Sequence, residues 1–168
     1  MTAVNIQSLK FTQSRTWLFA MLFILGNILL PAMVHTVPGG GPAWLPIYFF
    51  TLIGAYIFGW RVGLLTALLS PLANSALNGM PGVEVLPAIM IKSTFLDSAA
   101  SLAARKSGRA SLAAIALVIV AYQTVGSLIE WGITGDITLA LQDVTKAWPG
   151  MLVQLFAGWT LIRMLTRQ

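Results

Sequence analysis

A polar side chain inside a long apolar run is costly unless a partner or a ligand meets it, so such positions are where binding chemistry is expected. Ser70, Asn74 and Asn78 recur every four residues and so share one helix face. They offer a hydroxyl and two amides to a hydrogen-bonding ligand or to a neighbouring helix. Lys92 and Asp97 occupy the next apolar run. Five residues apart, they lie about 140° from each other around a helix, so each needs its own partner. Glu84 or a substrate anion would serve Lys92, and Arg61 or a neighbouring helix would serve Asp97. Gln123 and Glu130 are seven apart on one face, with Gly126 and Ser127 between them, and Gln154 is a weaker position of the same kind. Glu130 stands beside Trp131, a combination able to take a substrate amine or a stacked ring. Outside the apolar runs, His35, Met80 and Glu84 stand in or beside glycine–proline segments, where Met80 offers a polarizable side chain to an apolar ligand. The candidate substrate-binding set is thus His35, Asn74, Asn78, Met80, Glu84, Lys92, Gln123 and Glu130. Each has a structural alternative, helix–helix hydrogen bonding for the amides and plain solvation for the loop residues.

None of these residues forms a catalytic constellation. Cysteine is absent and His35 is the one histidine, which removes thiol nucleophiles, disulfides and histidine-rich metal sites. No glycine-rich phosphate loop leads to a lysine, so the chain is not expected to hydrolyse ATP itself. The expectation is a binding protein without an intrinsic cofactor rather than an enzyme.

Hydrophobic residues make up 57% of the 168 residues and charged ones 9%, against about 25% charged in soluble domains. The apolar runs reach the roughly 17–25 residues that cross a bilayer core. The chain is therefore expected to be a single all-α integral membrane domain over 1–168, a bundle of six transmembrane helices at about 16–34, 44–58, 64–77, 85–104, 110–131 and 147–165. Helix breakers separate these runs. Two prolines and three glycines fall within the eight residues His35–Pro42, a tight turn is expected over 59–63, and 78–82 is a second glycine–proline loop. The first run is long and lacks a small-residue cleavage site, so it reads as a retained helix rather than a signal peptide.

Charge then orients the bundle. Lys10, Arg15, Arg61, Arg105, Lys106, Arg109, Arg163 and Arg167 fall at one set of helix ends and Lys146 alone at the other, eight against one. By the positive-inside rule the basic ends, and with them both termini, are cytoplasmic. The net charge of +5 then serves topology and anionic lipid headgroups rather than nucleic acid. Three loops, His35–Pro42, Asn78–Glu84 and Gly132–Lys146, are left facing outward, with glycines suited to closing over a ligand.

In this organisation, and in Leu45-Pro-Ile-Tyr48, Gly59-Trp-Arg-Val-Gly-Leu64, Ser70-Pro-Leu-Ala-Asn74, Asn78-Gly-Met-Pro81 and Leu86-Pro87, the chain resembles the substrate-binding S-component of energy-coupling factor vitamin transporters. The motif similarity covers about residues 35–106 and extends to several small S-components, including ones linked to cobalamin or its precursors. The resemblance implies a multi-pass protein of the bacterial cytoplasmic (inner) membrane that captures a vitamin at the outer face. It further implies association with a membrane coupling subunit and cytoplasmic ATPases. His35, Asn78, Met80 and Glu84, with Asn74, Lys92 and Glu130 beneath, occupy the matching region, and His35 would be the cobalt ligand if the substrate were a corrinoid. One departure stands out. The Ala-x-x-x-Ala face that many S-components carry on their first helix is missing here, and that spacing occurs instead at Ala99/Ala103 and Ala100/Ala104. Docking on another surface, or a solitary S-component, would follow. The alternatives are a non-transporting membrane assembly protein, a small membrane enzyme acting on lipids, and an oligomeric channel.

Overall fold

The computed structural model describes residues 9–34, 44 and 46–166; the whole of the glycine–proline segment 35–42, His35 included, and Arg167 lie outside the described residues. Among the described residues there is no strand. The helices are α1 (Ser14–Val34), α2 (Phe49–Phe58, entered through a 3-10 turn at Pro46–Tyr48), α3 (Trp60–Asn78), α4 (Leu86–Ser107), α5 (Leu112–Thr134), the short α6 (Ile137–Ala140) and α7 (Gln142–Lys146), and α8 (Trp148–Leu165).

Local chemistry sets these boundaries. Pro87 and Pro149 stand in the first turns of α4 and α8, where a missing N–H costs nothing. Ser111 caps α5 by accepting the Ala114 backbone N–H at 3.3 Å. The turn expected over 59–63 shrinks to one residue. Gly59, at φ 85° and ψ 176°, ends α2 and starts α3 in a conformation open to glycine. Gly63 is instead a packing residue inside α3, where an added Cβ would run into the Asp97 carboxylate and come within 2.6 Å of the Ala55 Cβ. The polar segment after α5, expected as a loop, folds into α6 and α7.

The core is built around α2. Eight of its ten residues, Phe49 and Thr51 through Ile57, are buried, because α1, α3, α4 and α8 all pack against it. Ten residues rise about 15 Å, roughly half a bilayer core, so α2 is shorter than the spanning helix expected at 44–58. On the far side α4 packs against α3 and α5, and α5 against α8.

The outward faces are apolar, unlike those of a water-soluble bundle, and polar side chains lie inside among the apolar core. The outward faces carry Leu18, Met21, Leu25 and Leu29 on α1, Leu117, Val120 and Leu128 on α5, and Leu152, Phe156 and Met164 on α8, all exposed. The interior holds Thr16, Asn27, Thr51, Ser70, Asn74, Lys92, Asp97, Gln123 and Gln154, all buried. Two helices, α1 with 21 residues and α5 with 23, are long and apolar enough to cross a membrane.

Basic residues gather at one end. Arg61 at the start of α3 donates to the Leu9 carbonyl (3.1 Å) and stacks on Trp60 and Phe11, which holds the N-terminal segment against the α2–α3 turn. The Tyr56 hydroxyl, near the end of α2, donates to the Arg109 carbonyl at 2.8 Å. The Trp159 indole of α8 reaches the Ala110 carbonyl at 3.2 Å, and Arg163 lies over the same indole. Lys10, Arg61, Arg105, Lys106, Arg109 and Arg163 therefore share one end of the bundle.

Candidate functional site

Two polar systems occupy the end opposite the basic residues, and they differ in how fully their hydrogen bonds are satisfied. The first joins α1, α2 and α3. Pro31 inside α1 has no N–H, so the Asn27 carbonyl four residues earlier loses its helical donor. The Asn74 amide of α3 supplies the replacement, with Nδ2 donating to the Asn27 carbonyl at 2.7 Å and to its own Ser70 carbonyl at 3.1 Å. The Asn27 side chain in turn donates to Thr51 and Ser70, both at 3.2 Å, and accepts the Phe50 backbone N–H at 3.1 Å. That N–H belongs to the first turn of α2, whose N-cap Tyr48 contributes no side-chain bond, so Asn27 caps α2 from a neighbouring helix. Asn78 completes the chain by donating to Asn74 Oδ1 at 3.1 Å. Every side-chain nitrogen and oxygen of Asn27 and Asn74 is engaged.

The second system lies between α4, α5 and α8. Lys92 forms an ion pair with Glu130, the lysine side chain 3% exposed and the glutamate 17%. Gly126 makes the approach feasible, since a Cβ there would stand 2.6 Å from Lys92 Cγ; the lysine stem lies along α5 where that side chain is missing. Gln123, Gly126, Ser127 and Glu130 follow the spacing of one helix face, the same face toward which Lys92 extends. On α8, Gln154 accepts the Tyr122 hydroxyl through Oε1 at 2.9 Å, which leaves its amide nitrogen as a donor.

Several groups of this system are buried without a hydrogen-bond partner among the described residues: both amide atoms of Gln123, the Ser127 and Ser93 hydroxyls, and Gln154 Nε2. The default for a helical hydroxyl is a bond to the carbonyl four residues back. Thr66, Thr94, Ser98 and Thr160 take it, whereas Ser93 and Ser127 do not. A buried amide left unpaired costs about 1–3 kcal/mol, and native interiors hold few of them. These unpaired groups mark the interior between α4, α5 and α8 as the candidate site. No family model, curated protein or solved structure matches the chain. What the site does must therefore follow from its geometry.

The candidate residues separate accordingly. Lys92 and Glu130 come together; Gln123 and Ser127 share the α5 face of Glu130, and Gln154 accepts from Tyr122, the neighbour of Gln123 in the chain. Lys92 is paired with Glu130 instead of the expected Glu84 or a substrate anion, while Glu84 is exposed with its carboxylate against Gly82. Asp97 does not meet Arg61, which is turned to Leu9 and Trp60; its buried carboxylate accepts the Ser101 hydroxyl at 3.4 Å. Asn74 serves helix packing, and Asn78 and Met80 are exposed where α3 runs into the loop before α4. His35 lies outside the described residues. Asn27 went unrecognised in the sequence, although an asparagine four residues before a proline within an apolar run is a readable signal.

Proposed function

We propose that the chain is a six-span membrane protein, formed by α1–α5 and α8 with the basic end and both termini in the cytoplasm. In this reading it binds a small molecule entering from the opposite face, as the substrate-binding subunit of a vitamin importer of the energy-coupling factor type. The exposed apolar faces on α1, α5 and α8 support the membrane part, because they suit lipid and not water. At 19, 22 and 18 residues, α3, α4 and α8 measure about 27–33 Å, enough for a bilayer core. The shorter α2 is enclosed by protein, the condition under which non-spanning backbone at membrane depth is tolerated. The collected basic end supports the orientation.

The observation that carries the binding part is the buried, unpartnered Gln123 amide in a bundle whose neighbouring polar network is saturated. Transport, the coupling subunit and ATPase partners, and a vitamin of the cobalamin-related class come from the motif resemblance. The test is purification in mild detergent, mass spectrometry of co-purified small molecules, and melting curves against a vitamin panel. A bound vitamin is expected; no ligand and no shift with any vitamin would refute the importer reading. A second reading, a non-transporting assembly protein, draws on the Asn27–Asn74 network, which holds helices together with no ligand. In that case Gln123 substitutions would change stability and no binding.

A further inference from the structure

Resting on the reading of this interior as a binding site, we infer that the molecule it takes is uncharged and presents a carboxamide or lactam edge. The two formal charges of the site already neutralise each other, since Lys92 is paired with Glu130. A carboxylate ligand would have to compete with Glu130 for Lys92, and an ammonium ligand with Lys92 for Glu130, each leaving one charge buried and uncompensated.

The groups that remain define a complementary edge. Gln123 contributes one acceptor, Oε1, and a donor nitrogen; Gln154 contributes a nitrogen only, because Tyr122 occupies its oxygen; Ser127 serves as either. The ligand must therefore offer a donor hydrogen for Gln123 Oε1 and, beside it, an acceptor for the Gln123 amide nitrogen. A carboxamide or lactam has this set on adjacent atoms. A carboxylate lacks the donor, and an alkylammonium lacks the acceptor.

Gln123 follows Tyr122 on α5; the Tyr122 hydroxyl donates to Gln154, and its ring centroid lies 5.5 Å from that of Tyr48. Glu130, the partner of Lys92, stands one turn beyond Ser127 on α5.

The experiment uses purified protein in mild detergent with three planar probes of one shape, benzamide, benzoate and benzamidinium, read by melting temperature and calorimetry. Benzamide is expected to raise the melting temperature and the two charged probes to leave it unchanged. Gln123→Met removes the amide at nearly constant volume. It is expected to abolish the benzamide shift and to raise the melting temperature of the unliganded protein, since a buried unpaired amide is replaced by an apolar side chain. A lower melting temperature for unliganded Gln123→Met would show the amide to be a structural group and overturn the inference. Mass spectrometry of co-purified molecules separates the two levels. A charged ligand without an amide overturns the carboxamide assignment and leaves the binding reading standing. No ligand, no probe shift and a destabilised Gln123→Met overturn both.

Discussion

Asn74→Leu should be costly for a reason located in another helix. The Leu side chain is close in size, so the principal losses are the 2.7 Å bond to the Asn27 carbonyl and the acceptor for Asn78. An interhelical bond in a membrane bundle is worth about 0.6 kcal/mol on average. The carbonyl left behind weighs more. Pro31 has removed its helical donor, so it becomes a buried unsatisfied acceptor, costing about 1–3 kcal/mol. Taken together, the lost bond and the orphaned carbonyl should destabilise Asn74→Leu by about 1.5–3.5 kcal/mol. The decisive comparison is the same substitution in a Pro31→Ala background, where the alanine restores an N–H for the Asn27 carbonyl. There the cost should fall by about 1–3 kcal/mol, a coupling well above the roughly 0.3–0.5 kcal/mol scatter of independent sites. Denaturant titrations in mixed micelles, followed by tryptophan fluorescence, give all four corners of the cycle. Additive effects of Pro31→Ala and Asn74→Leu would refute the freed-carbonyl account.

Other consequences are as direct. Lys92→Met or Glu130→Leu alone leaves a charge inside the bundle and should cost about 3 kcal/mol, whereas the double substitution should recover most of it; melting temperatures of the three variants decide this, and a double variant as unstable as the singles would count against the pair. Gly63→Ala forces a methyl group toward the Asp97 carboxylate and Ala55 and should cost about 1–3 kcal/mol of overpacking, measured by the same titration, while the exposed Thr12→Ala should be silent. Because the chain contains no cysteine, single cysteines report topology without background. An impermeant maleimide added to intact cells should label Thr138→Cys and spare Thr12→Cys, and the reverse pattern would invert the proposed orientation.

Much of the fold was legible because its punctuation is local. Pro87, Pro149, Ser111 and the glycines that end several helices mark limits that a sequence displays directly, and the helices at 86–107, 112–134 and 148–165 lie within a few residues of their expected bounds. Local signals misled where tertiary contacts decide. Gly63 looked like part of a turn because glycine serves both tight turns and close packing, and only the position of Asp97 distinguishes them. The site was half legible. Gln123 and Glu130 on one face follow from helical period, yet Lys92 lies 38 residues from Glu130, and no spacing rule joins them. Nor does a sequence reveal which buried amide is satisfied. Asn74 and Gln123 look alike as residues in apolar runs, and three-dimensional partners alone make one a brace and the other an open hand.

The Asn27–Asn74 contact also bears on the order in which the bundle assembles. In a bilayer α1 gains little from apolar packing, since lipid tails match its leucines and methionines as well as protein does. As synthesis delivers it, the first helix carries a proline gap that its own backbone is unable to close. Its capping partners on α2 and the amide that closes the gap on α3 emerge later. On the proposed membrane reading, insertion and locking are thus separate events for α1, and the latch is cut into α3: α1 would wait in the bilayer, incomplete, until residue 74 arrives.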